Sequence, residues 1–204
     1  MSDGTHPGTE TQTHRRIILA ALHEFTQSGY KGCSTRAVAE RAGVNEVTLF
    51  RHFGNKLELL RAAVEYSVGQ MRAPADIESY FNLSLRDGLT KLITDYLLQL
   101  SSQSDILMLG FSESFSHPEV ADVLRRFIWQ FRTALIQYFE GQYAQKKMKE
   151  ADFPVLAHML LITIHSTPSV HKRAPEDVKI HLSDERVVKT LVDTVSLAYS
   201  LDEL

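Results

Sequence analysis

The stretch that most constrains this chain is Ser34–Phe53, S-T-R-A-V-A-E-R-A-G-V-N-E-V-T-L-F-R-H-F. Ser34 or Thr35 suits the N-cap of a short helix, Val38, Ala39 and Ala42 give that helix one apolar face, and Gly43 stops it. Asn45 suits the N-cap of a second short helix through Thr48, Leu49 and Phe50 to about His52. A tight turn at Gly43 lets the second helix cross the first steeply and project from the surface. That is the helix-turn-helix arrangement, whose second helix fits the DNA major groove.

The flanking sequence supplies the rest of a helical head. Ile17, Ala21 and Phe25 fall at i, i+4 and i+8, with Ile18 and Leu22 beside them, and Gly29 is placed as a C-cap. Ile17, Ile18, Ala21, Leu22, Phe25, Val38, Val44, Leu49 and Phe53 are expected to form the core. Gly54-Asn55 is a break, and a fourth helix is expected from about Lys56 to about Met71. Residues 1–11 read as a flexible arm, 12–55 as the head and 56–204 as the body. Residues 72–83, with Pro74, read as a connector. Helical patterns follow at about Ser84–Ser101, Asp105–Phe115, Pro118–Tyr143, Phe153–Thr167 and Ser183–Ser200, with Val170–Leu182 expected as a loop. No useful stretch has the period of a strand, so the fold class is all-α.

Net charge is −3 over 204 residues, which at first argues against a nucleic-acid partner. Its distribution reverses that inference. From Thr13 to Lys56 seven basic and three acidic residues give 7 − 3 = +4, whereas Leu57 to Leu204 gives 15 − 20 = −5. A basic module on an acidic body is the asymmetry of a DNA binder. Within the second short helix Asn45, Thr48, Arg51 and His52 are polar, and Phe50 can pack on sugar or a thymine methyl. Lys56 and Thr35, each opening a helix, are placed to meet phosphates.

Other classes find little support. Cys33 is the only cysteine, so no intramolecular disulfide forms, which suits a reducing cytoplasm. The first residues lack a secretory apolar segment, and the longest apolar run, Val155–Ile164, is too short to span a bilayer. A cytoplasmic protein without membrane partners is expected. There is no phosphate loop, H-E-x-x-H or G-x-S-x-G motif, and neither an enzyme nor a cofactor is expected. His158 and His165 are seven apart on one helix, about 10 Å, too far to share a metal, and no metal site is expected.

Taken together, R-R-I-I-L-A-A-L-H-E-F-T-Q-S-G-Y and S-T-R-A-V-A-E-R-A-G-V-N-E-V-T-L-F-R-H-F-G-N-K-L-E-L-L resemble the N-terminal domain of the TetR family of repressors, over about Arg15–Leu60. The resemblance implies a homodimer with a three-helix DNA-binding head and a larger helical ligand-binding and dimerisation domain. It also implies a small-molecule effector whose binding releases a double-stranded DNA operator. Residue by residue it implies that Arg36 and Thr48 touch bases or nearby phosphates, that Glu46 and Val47 lie beside them, and that Phe50 stands where tyrosine is usual. His52 falls at a backbone-contact position, and Thr35 and Lys56 at phosphate-contact positions. Phe50 lacks the tyrosine hydroxyl, Val47 replaces a frequent glycine, and the acid Glu46 would repel phosphate unless it accepts from cytosine N4.

The body is read from its aromatics and apolar helices. An apolar pocket with a few polar groups is the default ligand site. Met108, Phe111, Phe115, Trp129 and His158 are expected to face it, with Glu113 or Arg132 as a polar handle, and the aromatic content suggests a lipophilic effector. Val187, Leu191, Val195 and Tyr199 form an i, i+4 series. The family resemblance places dimerisation on the last two helices, in a two-fold, four-helix contact. Such a dimer would bind a palindromic operator through successive major grooves, about 34–36 Å apart. The alternatives are an architectural or weakly specific DNA binder, and a helical ligand carrier with a non-functional head.

Overall fold

A computed structural model describes residues 7–74, 76–181 and 183–201. Among them the chain is helical throughout, with one isolated bridge between Met148 and Ser200. The helices are α1 (Pro7–Gly32), α2 (Thr35–Ala42), α3 (Glu46–Phe53), α4 (Lys56–Gln70), α5 (Leu85–Ser102), α6 (Ser104–Ser114), α7 (Pro118–Ala144), α8 (Phe153–Arg173), α9 (Glu176–His181) and α10 (Asp184–Tyr199), with a 3₁₀ turn at Ile77–Asn82. Two compact units emerge. One holds the chain up to Gln70 with Asp105–Arg126, and the other Met71–Ser104 with Phe127 onward.

In the first unit α1 packs on α2 and α4, and α3 closes against both α2 and α4. Ile17, Ile18, Ala21, Phe25, Val38, Leu49, Phe53, Leu59 and Leu60 are buried. Each large side chain among them stabilises the head by about 1.5–3 kcal/mol. Val44 and Leu22, expected in the core, are half-buried. The first helix starts at Pro7, earlier than expected, with the proline in the first turn where its missing N–H is harmless. Of the expected flexible arm, residues 7–11 are therefore helical and 1–6 lie outside the described residues. Gly29 interrupts α1 with φ 66° and ψ 176°, and one more turn follows to Gly32.

The second unit is built on α5, which contacts α8 and α10. Leu85, Leu89, Leu92, Ile93, Tyr96 and Leu97 of α5 are buried, as are Phe127, Phe131, Tyr138 and Phe139 of α7. Tyr138 donates to Leu85 O at 2.9 Å. A Cβ at Gly88 would lie 2.5 Å from the Tyr138 hydroxyl, so the glycine makes room for that ring. Lys147 donates to Phe81 O (2.6 Å) and Leu83 O (2.9 Å), fastening the 3₁₀ turn to the end of α7.

The loop expected at Val170–Leu182 is instead the end of α8 and all of α9, with Leu182 outside the described residues. Pro168 removes only one helical donor, so α8 continues past it to Arg173. The helix stops at Ala174, extended (φ −73°, ψ 147°) because it precedes Pro175. With that extension α8 is long and apolar enough to cross a membrane by length and composition, although only 35% of the window that qualifies is buried within the fold.

Candidate nucleic-acid interface

The helix-turn-helix is secured at every helix end. Ser34 Oγ accepts from Ala37 N at 3.1 Å and caps α2. Asn45 Oδ1 accepts from Thr48 N at 2.7 Å and caps α3, and Asn55 Oδ1 accepts from Glu58 N at 2.9 Å and caps α4. At the turn Gly43 is left-handed (φ 65°, ψ 39°). Its N–H donates to Glu40 O and that of Val44 to Ala39 O, both at 3.0 Å, in the Schellman pattern. Arg16 completes the turn by donating from Nη2 to Ala42 O (2.6 Å) and Gly43 O (3.2 Å). That guanidinium, read from sequence only as positive charge, holds α1 to the turn.

These caps fix what α3 presents. Leu49 and Phe53 are buried on one side, and Val47 (77% exposed) and Phe50 (41%) stand on the other. Arg51, four residues from Val47, shares that exposed face, and Glu46 and Thr48 flank it half-buried. Arg36 is exposed on α2. Asn45 is occupied as a cap, so its amide carbonyl is already used within the protein.

Two further positions carry bonds that sequence did not reveal. Thr35 Oγ1 donates to Glu46 Oε1 at 2.7 Å, so its hydroxyl hydrogen is already engaged by the acid that looked misplaced on α3. Lys56 Nζ lies over the Tyr30 ring at 4.9 Å and donates weakly to Lys31 O at 3.5 Å. Tyr30 in turn meets His117 edge-on at 5.5 Å. Burial and the nearby Glu113 carboxylate push the Tyr30 hydroxyl pKa up, so the ring facing Lys56 stays neutral. Cys33 is buried beside this group, and burial raises its thiol pKa, which makes it unreactive.

His52 is half-buried and turned toward α1, its ring 5.8 Å from that of His14. His14 stacks on Phe53 at 4.5 Å, and burial together with His52 lowers its pKa. The two histidines line a cavity of about 320 Å³ with Glu58, Arg61, Glu65 and Tyr66. Arg61 is paired with both carboxylates there, at 2.8 Å each.

The expected ligand residues divide between the units. Met108, Phe111, Glu113 and Phe115 belong to the first and Trp129, Arg132 and His158 to the second. Phe115 is 93% exposed, and Trp129 and His158 are exposed too, Trp129 with the Arg132 guanidinium 4.9 Å from its ring centre. Glu113 instead pairs with His117 at 3.7 Å. Among the described residues no three His, Cys, Asp or Glu side chains cluster as metal ligands.

The polar centre of the second unit is a pair that sequence reading missed. Tyr96 and His165 are hydrogen-bonded, with Tyr96 stacked on Phe131 (3.6 Å between ring centres) and Phe127 alongside. Burial lowers the His165 pKa to about 4 and raises that of Tyr96. The imidazole is therefore neutral at pH 7, and the ring tautomer sets which of the Tyr96 hydroxyl and Nε2 donates. His165 was visible only as one of two histidines on an apolar helix, and nothing local linked it to a tyrosine 69 positions away.

On the expected dimer face, Val195 is buried inside its own unit and so is not available to a partner, while Val187, Leu191 and Tyr199 are half-buried. The large apolar side chains exposed on these helices are Val155, Met159, Ile162 and Val170 of α8 and Leu197 of α10.

A capped, surface-projecting α3 on a basic three-helix scaffold defines a helix-turn-helix DNA-binding domain. Residues 17–63 match the model of the bacterial regulatory proteins of the tetR family. The head is therefore similar to the DNA-binding domain of that family. It is 27% identical over 129 residues to the uncharacterized HTH-type transcriptional regulator YvkB of Bacillus subtilis. The matched stretch covers 63% of this chain and 66%, just under two thirds, of that relative. Solved structures share the fold over nearly the whole length. A protein from Saccharomonospora viridis in complex with choline matches with a TM-score of 0.77 and 17% identity, over 93% of this chain and 98% of that one. The regulator FadR of Bacillus subtilis in complex with stearoyl-CoA matches with a TM-score of 0.66 and 20% identity, over 87% and 97%.

Proposed function

We propose that the chain is a ligand-responsive transcriptional repressor that binds a palindromic DNA operator as a two-fold dimer and is released by a small, lipophilic effector. The observation that carries this reading is the exposed face of α3, braced at both ends within a segment, Thr13–Lys56, of charge +4. Thr48, Arg36, Arg51 and Lys56 supply base and phosphate contacts in it. Tyr30 keeps the Lys56 ammonium over its ring at the start of α4, where a phosphate would also meet helix N–H groups.

Dimerisation is assigned to α8 and α10. Val155, Met159 and Ile162 repeat at i, i+4 and i+7, and Leu197 adds to them, an apolar surface suited to an isologous contact. The body is assigned the effector, in line with the choline and stearoyl-CoA complexes of proteins of the same fold. The effector acts by preferring a state whose head spacing does not match the operator. The chain is read as cytoplasmic and as a regulator, not an enzyme.

The test selects binding sites from random duplexes with the full chain, then screens compounds for release of the selected DNA. A single palindrome released by a lipophilic compound supports the reading. Uniform, salt-sensitive binding to all duplexes would identify an architectural binder instead. A monomer in sedimentation at micromolar concentration would remove the two-fold operator.

A further inference from the structure

The composition of the exposed α3 face points to the bases it reads. Val47 and Phe50, three residues apart, leave hydrocarbon exposed on a helix whose other side, Leu49 and Phe53, is buried. Aliphatic and aromatic groups at the centre of such a face need hydrocarbon opposite them. In the major groove that hydrocarbon is the C5-methyl of thymine. Glu46, beside them, is an acceptor only. Guanine O6 and N7 and thymine O4 are acceptors as well and repel it, adenine sets its N6 amine beside the acceptor N7, and only cytosine offers an amine, N4, as its sole polar edge.

The carboxylate is also held in place. Thr35 Oγ1 donates to Glu46 Oε1 at 2.7 Å from the first turn of α2. The bond fixes one carboxylate oxygen against α2 and leaves Oε2 to accept from DNA. It also explains how an acid is tolerated near phosphates, since its position is set by the protein and not by repulsion from the duplex. Accepting from a base amine there offsets the cost of carrying a negative charge into the groove.

We propose that α3 reads a pyrimidine-presenting half-site: Val47 and Phe50 cover thymine methyls, Glu46 accepts from cytosine N4, and Thr35 is the positioning residue for Glu46. The assignment rests on the operator-binding reading above and deepens it by naming the base chemistry.

Uracil provides the sharpest probe, because it differs from thymine only by the methyl. The full chain is used to select half-sites from random duplexes. Each selected thymine is then replaced by uracil, and affinity is measured by fluorescence anisotropy at fixed salt. A loss of about fourfold is expected for each methyl covered by Val47 or Phe50, and Val47→Ala should reduce the loss at one position only. Glu46→Gln should shift preference at its base pair from cytosine toward adenine, which glutamine pairs with in bidentate fashion. Thr35→Val should weaken discrimination at that same pair while leaving the others intact, and Thr35→Ser should restore it. Specific binding that is indifferent to uracil, or an unchanged base preference in Glu46→Gln, overturns the base assignment while the operator reading stands. If no sequence is selected, the operator reading itself falls and the base assignment with it.

Discussion

The head and the second unit solve the same problem, satisfying polar groups inside helical packing, with a different balance of local and distant partners. In the head the polar work is done at helix ends by residues close in sequence. Ser34, Asn45 and Asn55 each accept from an N–H three residues on, and Gly43 closes its turn with its own neighbours. The second unit has local caps too, at Ser84 and Asp152, but adds polar pairs between residues far apart in sequence: Tyr96 with His165, Tyr138 with Leu85 O, and Arg86 with Asp193 at 2.5 Å. Local caps hold a short helix such as α3 in a defined exposed pose with few core residues behind it. Long-range pairs instead bind together helices long enough to be stabilised by their own apolar faces. The difference teaches that the head's surface is set by sequence-local rules, whereas the interior of the second unit is set by packing.

That comparison can be broken at several points. The largest effect is expected from Leu49→Ala, since the head relies on few buried side chains and Leu49 is wholly buried behind the exposed face of α3. A loss of about 2–5 kcal/mol is expected, read by urea unfolding, together with loss of DNA binding. Retained specific DNA binding by this variant would show that α3 does not depend on its core contact.

Next in size is the acid sensitivity of the second unit. His165 is held neutral with a pKa of about 4, below its unfolded value of 6.5. Between these values the unfolded chain binds the additional proton. The associated stability is therefore fully present above about pH 6.5 and is lost as pH falls toward 4. The expected loss is about 3 kcal/mol, read by urea unfolding at pH 7 and at pH 4.5, and His165→Gln should flatten that profile. An unchanged pH profile in the variant would mean that other groups set the acid response.

Smaller still is Asn45→Ala, which removes a local cap and should cost about 1 kcal/mol. Its DNA affinity should fall more than its stability, because α3 frays at the end that carries Glu46 and Val47. Equal losses in the two measurements would place the cap in folding alone. The smallest effect belongs to Arg41→Ala, which removes the exposed pair with Glu24 at 2.6 Å. Less than about 1 kcal/mol is expected, diminishing with salt. A larger, salt-independent loss would show that α1 and α2 are held together by charge and not by their apolar contact.

How legible each part was follows from the same contrast. Ser34, Gly43 and Asn45 announce α2, the turn and α3 because capping and left-handed turns are decided within a few residues. The +4 charge over Thr13–Lys56 and the polar residues Asn45, Thr48 and Arg51 carry the expectation of a DNA contact in the same direct way. The end of α8 was not legible because Val170–Leu182 is polar and carries Pro175, which together read as a loop. In place Pro175 ends the helix only at Ala174, and Pro168 removes one donor from a long helix already packed through Leu160, Leu161 and Ile164. Phe115 and Trp129 were expected to face a pocket because they are aromatic, yet which side of a helix faces inward depends on its neighbours, and both are exposed.

The sequence by itself therefore determined an all-helical chain, a helix-turn-helix between Ser34 and Phe53 and the family of its head, since each depends on periodicity, caps and charge read over short windows. Only the tertiary structure decided that Thr35 holds Glu46, that Arg16 completes the Gly43 turn, that Tyr96 meets His165, and that Val195 turns inward while Met159 and Ile162 face out. These depend on which surfaces of different helices come within a few ångströms of one another. That is a property of the packed whole, which no short window of residues carries.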